Sequence, residues 1–343
     1  MKKFIDKKPF FIAEISANHC GSLKKAMELI KLAKISGANA VKLQTYTPEM
    51  MTIKNLNYKI KSGLWKNINL WKLYNQAQTP LEWHPKLFRF AKKLKIKIFS
   101  TPFNTEALNF LEKLNCDAYK IASFEMNDLN LIKEIAKTGK PMIISTGLSD
   151  LNEIALTYKK AKNFGCKDIT LLYCVSNYPS EKEDFNLNNI KILKQKFKCK
   201  IGLSDHSVGS EIAKLAIAMG AEVFEKHIAT QNQRNGHDIK FSARGKEVIQ
   251  YKRDLDNTVK LFLNKKFYRS KKEMENIIFR RSIYTIKRIK KGDRFNQANI
   301  KTFRPNIGLS ASKYFDILGK KVPYDIEKFK PLKKNILEIK KNK

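Results

Sequence analysis

The sequence predicts an α/β fold: a (β/α)8 TIM barrel followed by a small, mostly β domain. Three observations carry that prediction. Short apolar runs alternate with amphipathic helical stretches eight times along the chain. Each run is β-branched or aromatic and too uniformly apolar for a half-exposed strand, so it reads as buried on both faces. Reactive or hydrogen-bonding residues stand at nearly every run's C-terminal end, and in a parallel barrel those ends converge on one mouth.

The predicted strands are 10–15, 40–44, 97–101, 118–123, 141–146, 169–174, 201–205 and 223–228. The pattern at 22–37 is typical of the helices between them. Ala26, Met27, Leu29, Ile30, Leu32 and Ala33 form an apolar stripe, while Lys24, Lys25 and Lys31 face outward. Asn104, Asn127, Asp150 and Ser210 stand where N-caps belong, and Gly139, Gly165 and Gly220 where helices close. The longest interruption, 48–79, lies on the predicted catalytic face, where a connection of that length is expected to carry substrate contacts.

A helix near 248–263 ends the barrel, placed at 1–264. A lysine-rich linker follows at 265–278, then a second module at 279–343 with strands at 281–289 and 300–304 around a turn at 290–293. That module is too small for a large core of its own, so it is expected to lean on another surface, such as that of a second subunit.

The formal charge of +36 over 343 residues invites a nucleic-acid-binding reading. The lysines are spread over nearly every segment, however, with no glycine-arginine tract, zinc-finger spacing or RNA-binding aromatic signature. They read as solvated faces that would steer a small polyanion inward. Five cysteines, an odd number without CxxC spacing, suit a reducing cytoplasm rather than a disulfide framework. The basic N-terminus meets Glu14 too soon for a signal peptide. No stretch approaches the roughly 18 apolar residues of a membrane span. The expectation is a cytoplasmic protein with neither nucleic-acid nor membrane partners.

Lys42 and Lys120 lie inside otherwise apolar strands, where an ammonium group needs an anion. They read as structural partners of Glu14 or Glu125, as a cradle for phosphate and carboxylate with Ser123, Ser145 and Ser204, or as a Schiff-base lysine. His206 and His227 stand one βα step apart at the ends of the seventh and eighth strands. With Glu125, Asp205 and Asp238 expected nearby, they point to a divalent metal. His84 and His237 weigh less, being in loop or helix-start contexts, and His19 is intermediate.

AEISANHCGS (13–22), VKLQTYTP (41–48), FSTPF (99–103), AYKIASFE (118–125), ISTG (144–147), GLSDHS (202–207) and EKHI (225–228) resemble the sialic acid synthase family. RRSIYTIKRIKKGDRF (280–295), FRPNIGL (303–309) and LGKKV (318–322) are similar to that family's SAF, or antifreeze-like, domain. The resemblance covers almost the whole chain. It implies condensation of phosphoenolpyruvate with an N-acetylated amino sugar. Phosphoenolpyruvate would be held by Lys42, Thr101, Lys120, Ser123, Ser145 and Ser204, with Ser176 and Tyr178. His206 and His227 would hold Mn2+ or Mg2+, with Co2+ as a further choice. Glu125, Glu14 and Lys120 would be the catalytic groups, Glu125 positioning water or moving its proton. Glu14, Gln44, Phe103 and Asp238 would face the sugar. Arg304 of the C-terminal module would reach the partner's mouth in a domain-swapped homodimer.

Three segments (63–84, 118–125 and 240–242) point within the family to the branch that uses 2,4-diacetamido-2,4,6-trideoxy-altrose. The loop 231–242 lacks the Gly-Pro-Asp of the N-acetylneuraminate branch. A different N-acetylated sugar and a metal-free Schiff-base aldolase are the competing enzyme readings.

Overall fold

Eight parallel strands close on themselves. They are β1 (Phe10–Glu14), β2 (Ala40–Thr45), β3 (Lys97–Pro102), β4 (Tyr119–Ile121), β5 (Met142–Ser145), β6 (Ile169–Cys174), β7 (Lys200–Asp205) and β8 (Val223–Ala229). Each pairs with the next, and β8 returns to β1 through Phe10↔Val223 to Glu14↔His227. The structure is a computed structural model that describes residues 3–6, 8–263 and 266–338. Nearly every strand residue is buried, because one face packs into the barrel and the other against helices.

The helices alternate with the strands. They are α1 (Leu23–Ile35), the short α2 (Pro48–Met51) and α3 (Leu70–Ala77), then α4 (His84–Lys93), α5 (Thr105–Lys113), α6 (Leu129–Lys137), α7 (Leu151–Asn163), α8 (Asn188–Lys196), α9 (Glu211–Met219) and α10 (Lys246–Lys260). A two-residue strand, β9 (Ala243–Arg244), pairs parallel with the end of β8 through Ile228↔Ala243 and Ala229↔Arg244. Ser22, Asn104 and Asp150 cap α1, α5 and α7 with their side chains.

Two expected caps differ. Asp128, not Asn127, caps α6, because its carboxylate reaches the amides of Asn130 and Leu131 at 3.1 and 3.0 Å. Ser210 sits at the start of α9, but its hydroxyl donates to Asp254 at 2.5 Å instead of capping. The 48–79 interruption is likewise more ordered than a loop, since it carries α2 and α3.

Before β1, Phe4 packs edge-on against Phe99 at 5.2 Å and tilted against Phe10 at 5.8 Å. Lys97 of β3 bonds to the carbonyl of Phe4 and to Asp6.

The chain divides into two compact units, one ending at Leu263 and the other starting at residue 264. The second holds the short helix α11 (Lys271–Met274), in the segment expected to be a bare linker, then β10 (Ser282–Thr285), β11 (Ile300–Phe303) and α12 (Tyr314–Ile317). β10 and β11 pair antiparallel. The predicted strand at 281–289 is shorter than expected, and beyond Thr285 only isolated bridges such as Ile289↔Ile326 continue the pairing. Ile283, Ile289, Phe295, Ile300, Val322 and Leu332 belong to this unit's own core. No helix among the described residues is long and apolar enough to cross a membrane.

Gly202 in β7 marks the tightest packing in the barrel wall. A Cβ there would fall 2.1 Å from the backbone oxygen of Val223 and 2.6 Å from Leu172 Cδ2. Gly202→Ala is expected to lower stability by about 1–3 kcal/mol through overpacking. Urea unfolding checks this, and an unchanged midpoint would mean that the wall yields.

Candidate active site

Strand alternation decides what the mouth contains. In β8, Glu225 and His227 share one face and Lys226 the other; in β7, Ser204 shares a face with the following His206, opposite Asp205. The inward set meets at the strand ends and the outward set packs against α10.

Lys42 of β2 and Lys120 of β4 are only 3% and 2% exposed. Their anion comes from across the barrel. Lys120 Nζ donates to both carboxylate oxygens of Glu225 at 2.9 and 3.0 Å, and Lys42 Nζ lies 3.3 Å from Glu225 Oε1. Lys42 also pairs with Glu14 Oε2 at 2.7 Å and donates to Thr101 Oγ1 at 3.3 Å. Ser204 Oγ donates to Glu225 at 3.4 Å. Burial opposes the charge on Glu225, but Lys120 and Lys42 overcome it and hold the carboxyl well below the usual carboxylate range. Burial also pulls Lys120 below an ordinary lysine, against the attraction of Glu225.

The pairing of these lysines with Glu125 is therefore not formed, whereas that of Lys42 with Glu14 is. Glu225 is the residue that sequence reasoning missed. Its only signal was parity, two places before His227 on a strand that faces inward there. Glu14, expected to face the sugar, is not among the residues that line the cavity beside His227. It is fully buried and committed to Lys42 and to the amide of Ser16, at 2.8 Å.

A second polar group gathers around Gly147, just after β5. A Cβ at Gly147 would fall 2.2 Å from Ser176 Oγ and 2.8 Å from Ser123 Oγ, so only glycine lets these hydroxyls converge. The buried Ser145 Oγ has no hydrogen-bond partner. Cys174, also unforeseen, places its sulfur 3.7 Å from Ser176 Oγ and 4.0 Å from His206 Nδ1. Burial alone would raise its thiol, but the neighbouring His206 brings it down to about 7.

His206 and His227 face each other with ring centroids 5.4 Å apart. His206 Nδ1 lies 3.0 Å from the carbonyl of Val175, which can only accept, so Nδ1 carries a proton and the neutral ring would offer a metal the lone pair of Nε2. Tyr178 stacks on the same ring at 4.5 Å. His227 Nδ1 is buried without a hydrogen-bond partner, 3.6 Å from Asp238 Oδ2. One oriented ring and one unsatisfied ring nitrogen fit a divalent ion whose remaining positions go to water or substrate. Among the described residues no group of three or more His, Cys, Asp or Glu side chains is placed to hold an ion.

Of the acids expected near the histidines, Asp205 is engaged elsewhere. It pairs with Lys226 at 3.2 Å and accepts from Tyr251 of α10 at 2.9 Å and from Ser207 at 2.6 Å. His19 and His84 are structural. They bond to Thr79 at 3.2 Å and to Thr45 at 2.8 Å, and burial lowers each to about 4.

A cavity of about 320 Å³ opens beside His227, lined on its barrel side by Gln44, Phe103, Glu125, Tyr178 and Asp238. His237 also lines it. A cleft of about 650 Å³ between α7 and α8 shares Cys174 and Ser176 with the mouth, but no lysine or histidine lines it. Glu125 differs from the paired glutamates: its Oε2 is buried without a partner, and burial pushes the carboxyl up to about 7. Arg304 is exposed on the second unit.

These features define a barrel enzyme built to handle a small anionic substrate. The chain belongs to the NeuB family, whose model matches residues 29–266, and a SAF domain matches residues 280–338. It is 43% identical to a pseudaminic acid synthase of Campylobacter jejuni over 94% of both chains. To the pseudaminic acid synthase of Helicobacter pylori it is 41% identical over 96% of this chain and 98% of the relative. Among solved structures, the N-acetylneuraminic acid synthetase of Leptospira borgpetersenii, in complex with citrate, superposes with a TM-score of 0.71. It is 32% identical and covers 79% of this chain and 90% of its own.

Two measurements test the electrostatics. Glu225→Ala strands the buried Lys120 ammonium and removes one of the two carboxylates beside Lys42, and is expected to cost about 3–5 kcal/mol of unfolding free energy; a stability loss below 1 kcal/mol would show that the lysines do not depend on it. For Glu125 the sign follows from its raised pKa. The folded state holds the proton more tightly than the unfolded state, so the stabilisation present below pH 4.5 is lost as pH rises through about 7. Glu125→Gln removes that loss. The variant should gain about 2–3 kcal/mol on the wild type between pH 4.5 and 8, and a pH-independent difference would contradict a desolvated carboxyl.

Proposed function

We propose that the protein condenses phosphoenolpyruvate with 2,4-diacetamido-2,4,6-trideoxy-β-L-altropyranose and water, giving pseudaminic acid and phosphate. One observation carries the reading: the Lys42–Lys120 cradle opens onto the same mouth as an unpaired acid, Glu125, and the His206–His227 pair. End-to-end identity to two pseudaminic acid synthases supports the choice of sugar.

In this reading Lys42 and Lys120 exchange part of their pairing with Glu225 for the phosphate and carboxylate of phosphoenolpyruvate. The hydroxyls of Thr101, Ser123, Ser145, Ser176 and Ser204 complete the shell, and Tyr178 fixes the ring of His206. Glu14 keeps Lys42 charged and in place. Gln44, Phe103 and Asp238 hold the open-chain sugar with its aldehyde beside His227. A divalent ion on His206 and His227, Mn2+ or Mg2+ with Co2+ as a further choice, would supply polarisation of the aldehyde oxygen.

Carbon 3 of phosphoenolpyruvate forms a bond to the aldehyde carbon, whose oxygen takes a proton and becomes a hydroxyl. Positive charge appears at carbon 2 and is quenched by water. Glu125, with a carboxyl near neutrality, takes that water's proton. The carbon 2–oxygen bond then breaks, phosphate leaves with the electron pair, and the new hydroxyl loses its proton to give the 2-keto acid. In a domain-swapped homodimer, Arg304 of one protomer would grip an acetamido carbonyl in its partner's mouth with its planar fork.

Phosphate release from phosphoenolpyruvate tests this directly. Release is expected with the diacetamido sugar, at most weakly with N-acetylmannosamine, and not after EDTA until Mn2+ or Mg2+ is restored. Preference for N-acetylmannosamine would replace the sugar, and full activity in EDTA would remove the metal.

A further inference from the structure

The cavity beside His227 has two unlike walls. The barrel contributes Gln44, Glu125, Tyr178, His227 and Asp238, and nearly all of the polar groups. The 48–79 segment contributes mostly carbon, Met51, Ile60, Leu70, Leu73 and Ala77, together with the rings of Trp65 and Tyr74. This second wall is built rather than draped. Ile60 N donates to Ile68 O at 3.0 Å, Asn67 N to Ile60 O at 2.8 Å and Leu70 N to Tyr58 O at 2.8 Å, which folds 58–70 back on itself. The indole of Trp65 donates to the carbonyl of His237 at 3.3 Å and stacks near Tyr178 at 5.5 Å, tying the fold to the mouth. Tyr74, which also lines the cavity, packs edge-on against Tyr46, which packs edge-on against Phe103.

The chemistry fixes one end of the sugar. Its aldehyde carbon must lie by His227 and Glu125, where the polar groups are. Carbons 5 and 6 of an open-chain hexose are then carried away from that wall, and the surface left to receive them is the apolar one. A methyl group at carbon 6 and an acetamido methyl lose nothing there. A hydroxyl at carbon 6 would leave water for a mostly carbon wall, whose Trp65 indole already donates to His237 and which leaves the Tyr74 hydroxyl as its one polar group from 48–79.

We propose that the 48–79 segment is the specificity element of this site, selecting a 6-deoxy, N-acetylated sugar over the same sugar carrying a 6-hydroxyl. The inference rests on the phosphoenolpyruvate–amino-sugar reading above and adds to it the element that discriminates.

The test compares kcat/KM for 2,4-diacetamido-2,4,6-trideoxy-altrose and for its 6-hydroxy counterpart, by phosphate release at saturating phosphoenolpyruvate with Mn2+. The wild type is expected to prefer the deoxy sugar about 10–100-fold. Leu70→Asn and Met51→Gln, which each put an amide into the wall, should each shrink that ratio by about threefold or more. Met51 is partly exposed, so its variant keeps the test readable if Leu70→Asn fails to fold. Equal kcat/KM for the two sugars in the wild type, or a ratio unmoved in the folded variants, overturns the inference alone. No phosphate release with either sugar overturns the parent reading, and this one falls with it.

Discussion

Two ammonium groups inside one barrel would repel each other strongly, and Glu225 is what allows them to stand together. Lys42 and Lys120 come from β2 and β4, with β3 between them, while Glu225 reaches over from β8 and Glu14 from β1. Each lysine alone would be driven towards neutrality by burial. With two carboxylates among them the cluster holds two positive and two negative charges, and it fixes the ammonium positions before any ligand arrives. An incoming phosphate or carboxylate therefore meets donors already charged, aimed and stripped of water, so little reorganisation is needed at binding.

The adjacent position shows how much depends on parity. Lys226 is as buried as Lys120, at 1% exposure, and it too has a carboxylate partner. Yet it sits on the outer face of β8, between Asp205 and the ring of Tyr251 in α10, with its ammonium 5.5 Å from that ring. All the neighbours it is given are protein groups already satisfied by one another, so it fastens α10 to the barrel. Identical chemistry one residue along the strand thus gives a brace instead of a binding group.

Much of this was legible in the residues. The eight strands could be read because burial on both faces makes each an unbroken apolar run, and their bounds fall within a few residues of the expectation. Lys42, Lys120, His206 and His227 could be read because polar residues in such runs need a reason. What was not legible depends on distance across the barrel. Lys120 and Glu225 are 105 residues apart in sequence, and no local pattern pairs them. The pairing of Glu14 with Lys42 on the neighbouring strand was legible, because both stand at the ends of adjacent strands. The error at Asn127 is of another kind: two adjacent residues were each able to cap, and backbone geometry chose Asp128. The mostly apolar wall of the cavity beside His227 was hidden because 48–79 has the texture of a loop, and only its folding-back brings Ile60, Leu70 and Leu73 to one surface.

That wall also explains how chemistry and selectivity are kept apart in the same mouth. The ion pairs of Lys42 and Lys120 run to Glu14 and Glu225, all four on strands whose ends the barrel closure fixes. The 48–79 segment is held by backbone bonds within itself, by the indole hydrogen bond to the 231–242 loop and by Thr79 bonding to His19. Its side chains can therefore change without moving the cradle, whereas a change in the cradle disturbs four strands at once. In the reading proposed above, the constant part of the site lies on strands and the variable part on a loop long enough to fold over them. The length of the interruption after β2 is the physical requirement for that division: it must leave the barrel rim, build two short helices and return with its mostly apolar side over the cavity beside His227.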